Sequence, residues 1–175
     1  MARTNAPTSP LKYGAADLIA DLIAQLDDAD AVVRQDAAVA LGDLGHQAAE
    51  AVDVLRQRLL SALFSYHDRA CAAWALSQIV DHGEKQIIAD LLLVLRTATE
   101  TPPADELRFY CAVAIRQIAP DSEIITGVEQ LCTADPYWRC RVLAGGEAEP
   151  HPDVELARFE ESLKYRSSVW SGWLG

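Results

Sequence analysis

Four arginines recur along the chain, and each is followed by apolar residues at nearly fixed offsets. Arg34 precedes Ala37, Ala40, Leu41 and Leu44; Arg69 precedes Ala72, Ala75, Leu76 and Ile79; Arg108 precedes Cys111, Ala114, Ile115 and Ile118. Arg139 opens a weaker copy with Val142 that breaks off at Gly145 and Gly146. The arginines stand 35, 39 and 31 residues apart. Self-similarity at a period of roughly 20–50 residues marks stacked supersecondary units, none of which can bury its apolar face alone. Offsets of three, six, seven and ten fall on one side of an α-helix. Whatever this chain does, it is built by piling similar helical units against one another.

A second amphipathic helix precedes each arginine-headed one. Its apolar sets are Leu18, Ile19, Leu22, Ile23 and Leu26; then Val52, Leu55, Leu59 and Leu63; then Ile88, Leu91, Leu92 and Leu95; then Ile124, Ile125, Val128 and Leu131. All keep the three-and-four spacing of one helix face. No period-two run signals a strand, so the expected class is all-α. The spacing predicts helix pairs at 14–45, 46–81, 83–119 and 121–145. Local punctuation agrees. Gly45 suits a left-handed cap, Thr101 followed by Pro102 and Pro103 suits a helix start, and Pro120 followed by Asp121 and Ser122 ends one helix and caps the next. A helix is expected from near Pro152 to residue 166, and an extended aromatic tail over 167–175.

Half of the 175 residues are hydrophobic, mostly Ala, Leu, Val and Ile, and only 7% are aromatic. This is enough to bury a core and too much for a disordered chain. No apolar run approaches the ~18 residues needed to cross a bilayer, and residues 1–13 lack the apolar core of a signal peptide. A cytoplasmic protein is expected. With 15 basic against 26 acidic residues, the net charge is −11. Such a surface repels phosphate backbones and anionic membranes, so neither nucleic acid nor membrane is an expected partner. The cysteines Cys71, Cys111, Cys132 and Cys140 form no CxxC pair and are too sparse for a disulfide scaffold. They read as small buried hydrophobes.

The stretch from Asp30 to Gly45, DAVVRQDAAVALGDLG, resembles the second helix of a HEAT repeat, and more narrowly the HEAT-like repeats named after phycobilisome lyases. The resemblance spans most of 14–145: close in the first unit, fair in the next two, degenerate in the fourth. It implies a right-handed α-solenoid of about four helix pairs over 14–146; outside the resemblance, residues 1–13 read as a flexible arm and 147–175 as a capping C-terminal helix and aromatic tail. It also implies that each arginine pairs with an aspartate near the inter-helix turn. Asp30 and Asp135 stand four residues before Arg34 and Arg139, placed to pair on one helix face or to bridge to the next repeat.

The residues offer little chemistry. Relatives of these repeats include a di-iron hydroxylase with His-Glu pairs directly after the repeat arginine. Here those positions hold Gln35, Ala70, Phe109 and Cys140, and the chain contains no His-Glu dipeptide. His67 and His82 each have one acidic neighbour, which is not a metal cage; His46 and His82 follow helix ends, where an imidazole can face the helix dipole. Neither a nucleophile elbow nor a phosphate loop is present. No catalytic residue, metal or cofactor is expected. A bilin lyase, or a related tetrapyrrole-handling factor, is the alternative that the resemblance implies.

In a HEAT stack the second helices line the concave surface. Beside the core positions, offsets one, two, five and nine read Gln35, Asp36, Val39 and Asp43, then Ala70, Cys71, Trp74 and Gln78, then Phe109, Tyr110, Val113 and Gln117; Tyr137 and Trp138 begin the fourth. This stripe passes from acidic to aromatic, and aromatic anchors are efficient at interfaces. The expected function is therefore a non-catalytic adaptor, assembly factor or accessory subunit. It would hold a partner protein, alone or within a larger complex, through Trp74, Phe109, Tyr110 and Val113 rimmed by Asp36 and Asp43. Trp170 and Trp173 in the tail are a second candidate anchor, or a cap on the last repeat. The competing reading of all these aromatics is packing between unequal repeats.

Overall fold

The computed structural model describes residues 14–98, 102–120 and 123–135, together with Cys140, Leu143 and Gly145. Seven α-helices lie in this part: α1 (Ala15–Gln25), α2 (Ala31–Asp43), α3 (Val52–Leu60), α4 (Tyr66–Ile79), α5 (Lys85–Thr97), α6 (Pro102–Ile118) and α7 (Glu123–Ala134), with a 3-10 segment at Gly45–Ala51 before α3. They pair as α1 with α2, α3 with α4 and α5 with α6, while α7 packs on α6. Second helices stack in the order α2, α4, α6, and α3 lies against α5 in the layer of first helices. The expected all-α array of helix pairs is what the chain forms. No helix among the described residues is long and apolar enough to cross a membrane.

Local sequence sets the helix starts. The Asp30 carboxylate accepts from the Val32 amide at 2.9 Å and caps α2. Ser65 and Asp68 form a capping box on α4, with the Asp68 amide donating to Ser65 Oγ at 3.1 Å. α6 begins at Pro102 and ends at Ile118, two residues before Pro120. Gly45 and Gly83 have positive φ, 56° and 84°, conformations that a side chain disfavours.

The recurrent apolar offsets are the core. Ala72, Ala75, Leu76 and Ile79 of α4, and Cys111, Ala114, Ile115 and Ile118 of α6, are all buried. In α2, Ala37 and Leu41 are buried while Ala40 and Leu44 are half-buried. The difference is positional: α2 has a second helix on one side only, whereas α4 lies between α2 and α6 and also packs on α3. Every α4 residue from Ala70 to Ser77 is buried, and five of those eight are Ala or Cys. Small side chains let three neighbours approach one helix closely. Four expected stripe members depart from this pattern, the first being Leu18 of α1, which is 45% exposed. Leu63 lies beyond the end of α3 and is 94% exposed. Ile124 and Leu131 of α7 remain partly open.

All four cysteines are free thiols inside the packing. Burial pushes the Cys111 thiol up to about 12. Cys132 of α7 and Cys140 share a thiol hydrogen bond, which lowers the former and raises the latter.

Candidate partner-binding surface

Two of the repeat arginines, Arg34 and Arg108, tie the stack together by reaching forward one repeat. Arg34 Nη2 donates to Asp68 Oδ2 at 2.9 Å, across the boundary between α2 and α4, and Arg34 Nη1 donates to the carbonyls of Asp28 and Ala29 at 2.9 and 3.1 Å. Arg108 Nε and Nη2 grip the two oxygens of Asp135 at 2.7 and 3.1 Å, and Nη2 also reaches Asp105 at 2.7 Å. Of the two geometries open to Arg34, bridging is the one adopted, while Arg139 lies outside the described residues. Asp30, placed to pair with Arg34 on one face, caps the helix instead. Arg69 has no acid in the equivalent place, since Leu107 stands where Asp68 would recur. Its Nε donates to the Leu59 carbonyl at the end of α3, at 2.9 Å, and its guanidinium lies 5.8 Å from the Tyr66 ring centre.

Asp68 is the hub of the first boundary. It is 1% exposed, and it accepts from Arg34, from Ser65 Oγ at 2.8 Å and from Gln35 at 3.3 Å. Burial alone would raise its carboxyl, but these donors outweigh it and hold the group below the usual carboxylate range.

The same forward logic appears at the helix ends. His46, just past α2, donates Nδ1–H to the carbonyl of Ile79 at the end of α4, at 2.8 Å. The Gly83 amide, just past α4, donates to the carbonyl of Ile118 at the end of α6, at 2.9 Å. Ile79 and Ile118 hold the same offset from their arginines. α4 and α6 therefore each have an orphan C-terminal carbonyl satisfied by the preceding repeat. The expected contact between His46 and a helix end is present, but the end belongs to the next repeat.

A second set of ion pairs joins the first helices, and the sequence reading missed it. Arg56 Nε of α3 donates to Asp90 Oδ2 of α5 at 2.7 Å, and Arg58 Nη2 donates to Asp27 at 2.9 Å. Arg58 is only 2% exposed and stacks 3.9 Å from the Phe64 ring centre. Burial pushes its guanidinium down from the ordinary arginine value, with Asp27 opposing. The available signal was separation: these partners lie 34 and 31 residues apart, close to one repeat.

Within the expected docking stripe, the structure separates packed residues from accessible ones. Trp74, Tyr110 and Val113 are 6%, 7% and 4% exposed, so little of them faces outward. The Trp74 ring lies directly on Gly42 of α2. A Cβ there would overlap Cζ3 and stand 2.9 and 3.0 Å from Cε3 and Cη2. Gly42 thus makes room for the tryptophan of the next repeat. Phe109 is half-buried and meets Tyr110 edge-on, with ring centres 5.4 Å apart. Gln78 and Gln117, at matching offsets on α4 and α6, share a 3.0 Å hydrogen bond. His67 of α4 is held by Glu106 of α6 at 2.8 Å.

Asp36 and Asp43 are exposed on α2, while Gln35 and Val39 of the same stripe are half-buried. Because α4 lies between α2 and α6, these aspartates do not rim Phe109; they occupy the opposite end of the wall. Partial desolvation raises the Asp43 carboxyl. Tyr137, Trp138, Trp170 and Trp173, like the arm at 1–13 and the segment from 146 onward, lie outside the described residues. Among the described residues, no group of three or more His, Cys, Asp or Glu side chains is arranged to hold a metal.

No curated protein and no solved structure matches the chain. The family model of HEAT repeats matches residues 19–116, which is more than half of the sequence, without narrowing it to the lyase branch. That span runs from α1 through nearly all of α6 and contains both layers of the stack, and on this ground the chain belongs to the HEAT-repeat family.

Proposed function

We propose that this protein is a non-catalytic scaffold, an adaptor, assembly factor or accessory subunit, that holds another protein against its wall of second helices. HEAT repeats typically serve as protein-interaction scaffolds, which supports the reading at the level of the family. The observation that carries it is the continuity of the wall. α2, α4 and α6 pack side by side in order, their boundaries locked by Arg34–Asp68 and Gln78–Gln117. A rigid surface loses little entropy on binding. Its accessible side chains are polar and acidic at the α2 end, at Gln35, Asp36 and Asp43, and aromatic at the α6 end, at Phe109. The packed centre at Trp74 fixes the spacing between them.

Photo-crosslinking in the native host tests this. A photoreactive amino acid placed at Asp36, Asp43 or Phe109 should form adducts with one and the same protein. The same probe at Leu93, which is 54% exposed on α5, should not. Equal adducts from Leu93, or none from the wall, would refute the assignment.

A further inference from the structure

The first helices turn a regular set of residues toward the preceding repeat. Their core stripes are Ile19, Leu22 and Leu26 in α1, Val52, Leu55 and Leu59 in α3, and Ile88, Leu91 and Leu95 in α5, all spaced three then four. The residue just before each stripe member lies on the side that meets the preceding repeat. In α5 these residues are Ile87, Asp90 and Val94; all three are buried, and Asp90 accepts from Arg56 of α3 at 2.7 Å. In and just before α3 they are Ala51, Val54 and Arg58. Ala51 and Arg58 are buried, Val54 is half-buried, and Arg58 donates to Asp27 of the first repeat at 2.9 Å.

In α1 the same positions hold Leu18, Asp21 and Gln25. No repeat precedes α1 among the described residues, and all three are exposed, Leu18 at 45%. Asp21 has no ion-pair partner among the described residues. The layer of first helices therefore ends in a face built like an internal boundary, an apolar position beside an acid. Residues 1–13 have the chemistry and the reach to cover it. They join α1 at Gly14, four residues before Leu18. They contain Arg3 and Lys12 and no acid, in a chain of net charge −11, and Leu11 and Tyr13 bring apolar surface. A segment of this length reaches about 45 Å when extended, whereas Leu18 and Gln25 stand about 10 Å apart along the helix. A second copy of the same face would instead set Asp21, and the exposed Asp17 beside it, against like charges.

We propose that residues 1–13 fold back along α1 and cap the first repeat, with Leu11 covering Leu18 and Lys12 pairing with Asp21. The end of a repeat stack needs such covering. The cap lies on the layer of first helices and not on the wall of second helices, so this assignment and the proposed function stand or fall separately.

Two measurements on the purified full-length protein test this. A benzophenone side chain placed at Leu18 should, on irradiation, join the tryptic peptide 13–34 to the peptide 4–12 within one chain. In the Leu11→Ser/Lys12→Glu variant, the backbone amides of α1 should exchange with deuterium about tenfold faster, the effect of uncovering part of one leucine. The Arg96→Glu variant makes the same change of charge at an exposed position on α5 and should leave exchange in α1 as it is in the wild type. Adducts of dimer mass would mean that a second copy covers the face, and would overturn the proposal. So would adducts that miss 4–12, no adduct at all, or α1 exchange that is unchanged in the double variant or equally fast in Arg96→Glu.

Discussion

The packing of Trp74 on Gly42 makes a sharp test of how the first two repeats stack. Alanine is favoured over glycine inside a helix by about 1 kcal/mol, so Gly42→Ala on a free surface would stabilise α2. Here the new methyl group would overlap the Trp74 ring, with two further ring carbons at 2.9 and 3.0 Å, against an optimal carbon–carbon separation of about 3.5–4.0 Å. The ring is 6% exposed and cannot swing into solvent without opening the core. Relieving the overlap means separating α2 from α4. Overpacking of this kind costs about 1–3 kcal/mol, and a rigid ring places it toward the upper end. Gly42→Ala should therefore destabilise the protein by about 1–2 kcal/mol after the helix gain. In a Trp74→Leu background the obstacle is gone, and the same substitution should stabilise by up to about 1 kcal/mol. The coupling in this double-mutant cycle should be about 2–3 kcal/mol. Urea denaturation followed by far-UV circular dichroism gives the four stabilities, provided the slope with denaturant stays constant. A Gly42→Ala effect of the same sign and size in both backgrounds would refute the direct ring-on-backbone contact.

Two other perturbations probe the ionic ties. Asp68→Asn should cost about 3 kcal/mol at neutral pH, the lower end for breaking a buried pair, because Arg34 keeps two backbone carbonyls. Since the folded-state pKa of Asp68 is depressed, its contribution is complete above the unfolded value of about 3.9 and is lost as pH falls through the lower folded value. The variant should thus show a flatter acid limb, and an unchanged acid profile would sink the assignment. Arg58→Met should change stability by no more than about 1 kcal/mol despite the burial of Arg58. The abandoned Asp27 is 77% exposed, and the guanidinium Nε and Nη1 already lack hydrogen-bond partners among the described residues. A loss above about 3 kcal/mol in thermal or urea unfolding would show that the pair with Asp27 and the stack on Phe64 matter more than this argument allows.

The sequence by itself determined the class and the register of this protein. Local and periodic signals act within one helix or one turn, so apolar offsets, Gly45, Pro102 and Pro120 marked which segments are helical and, for most positions, which face each helix buries. Period alone also revealed that the units repeat. What the sequence left open is which groups from different repeats meet, because that depends on where helices 30 or more residues apart come to rest. Only the tertiary structure decided that Arg34 finds Asp68 and not Asp30, that Arg56 and Arg58 tie the first helices, and that His46 caps a helix of the following repeat. The docking stripe shows the same limit. Offsets place Trp74 and Phe109 on equivalent faces, yet α4 has neighbours on several sides, and Trp74 is packed on Gly42 while Phe109 stays partly open. Equivalent positions in a repeat acquire different exposure when the surrounding side chains differ in size, and that is a property of the stack instead of any one helix.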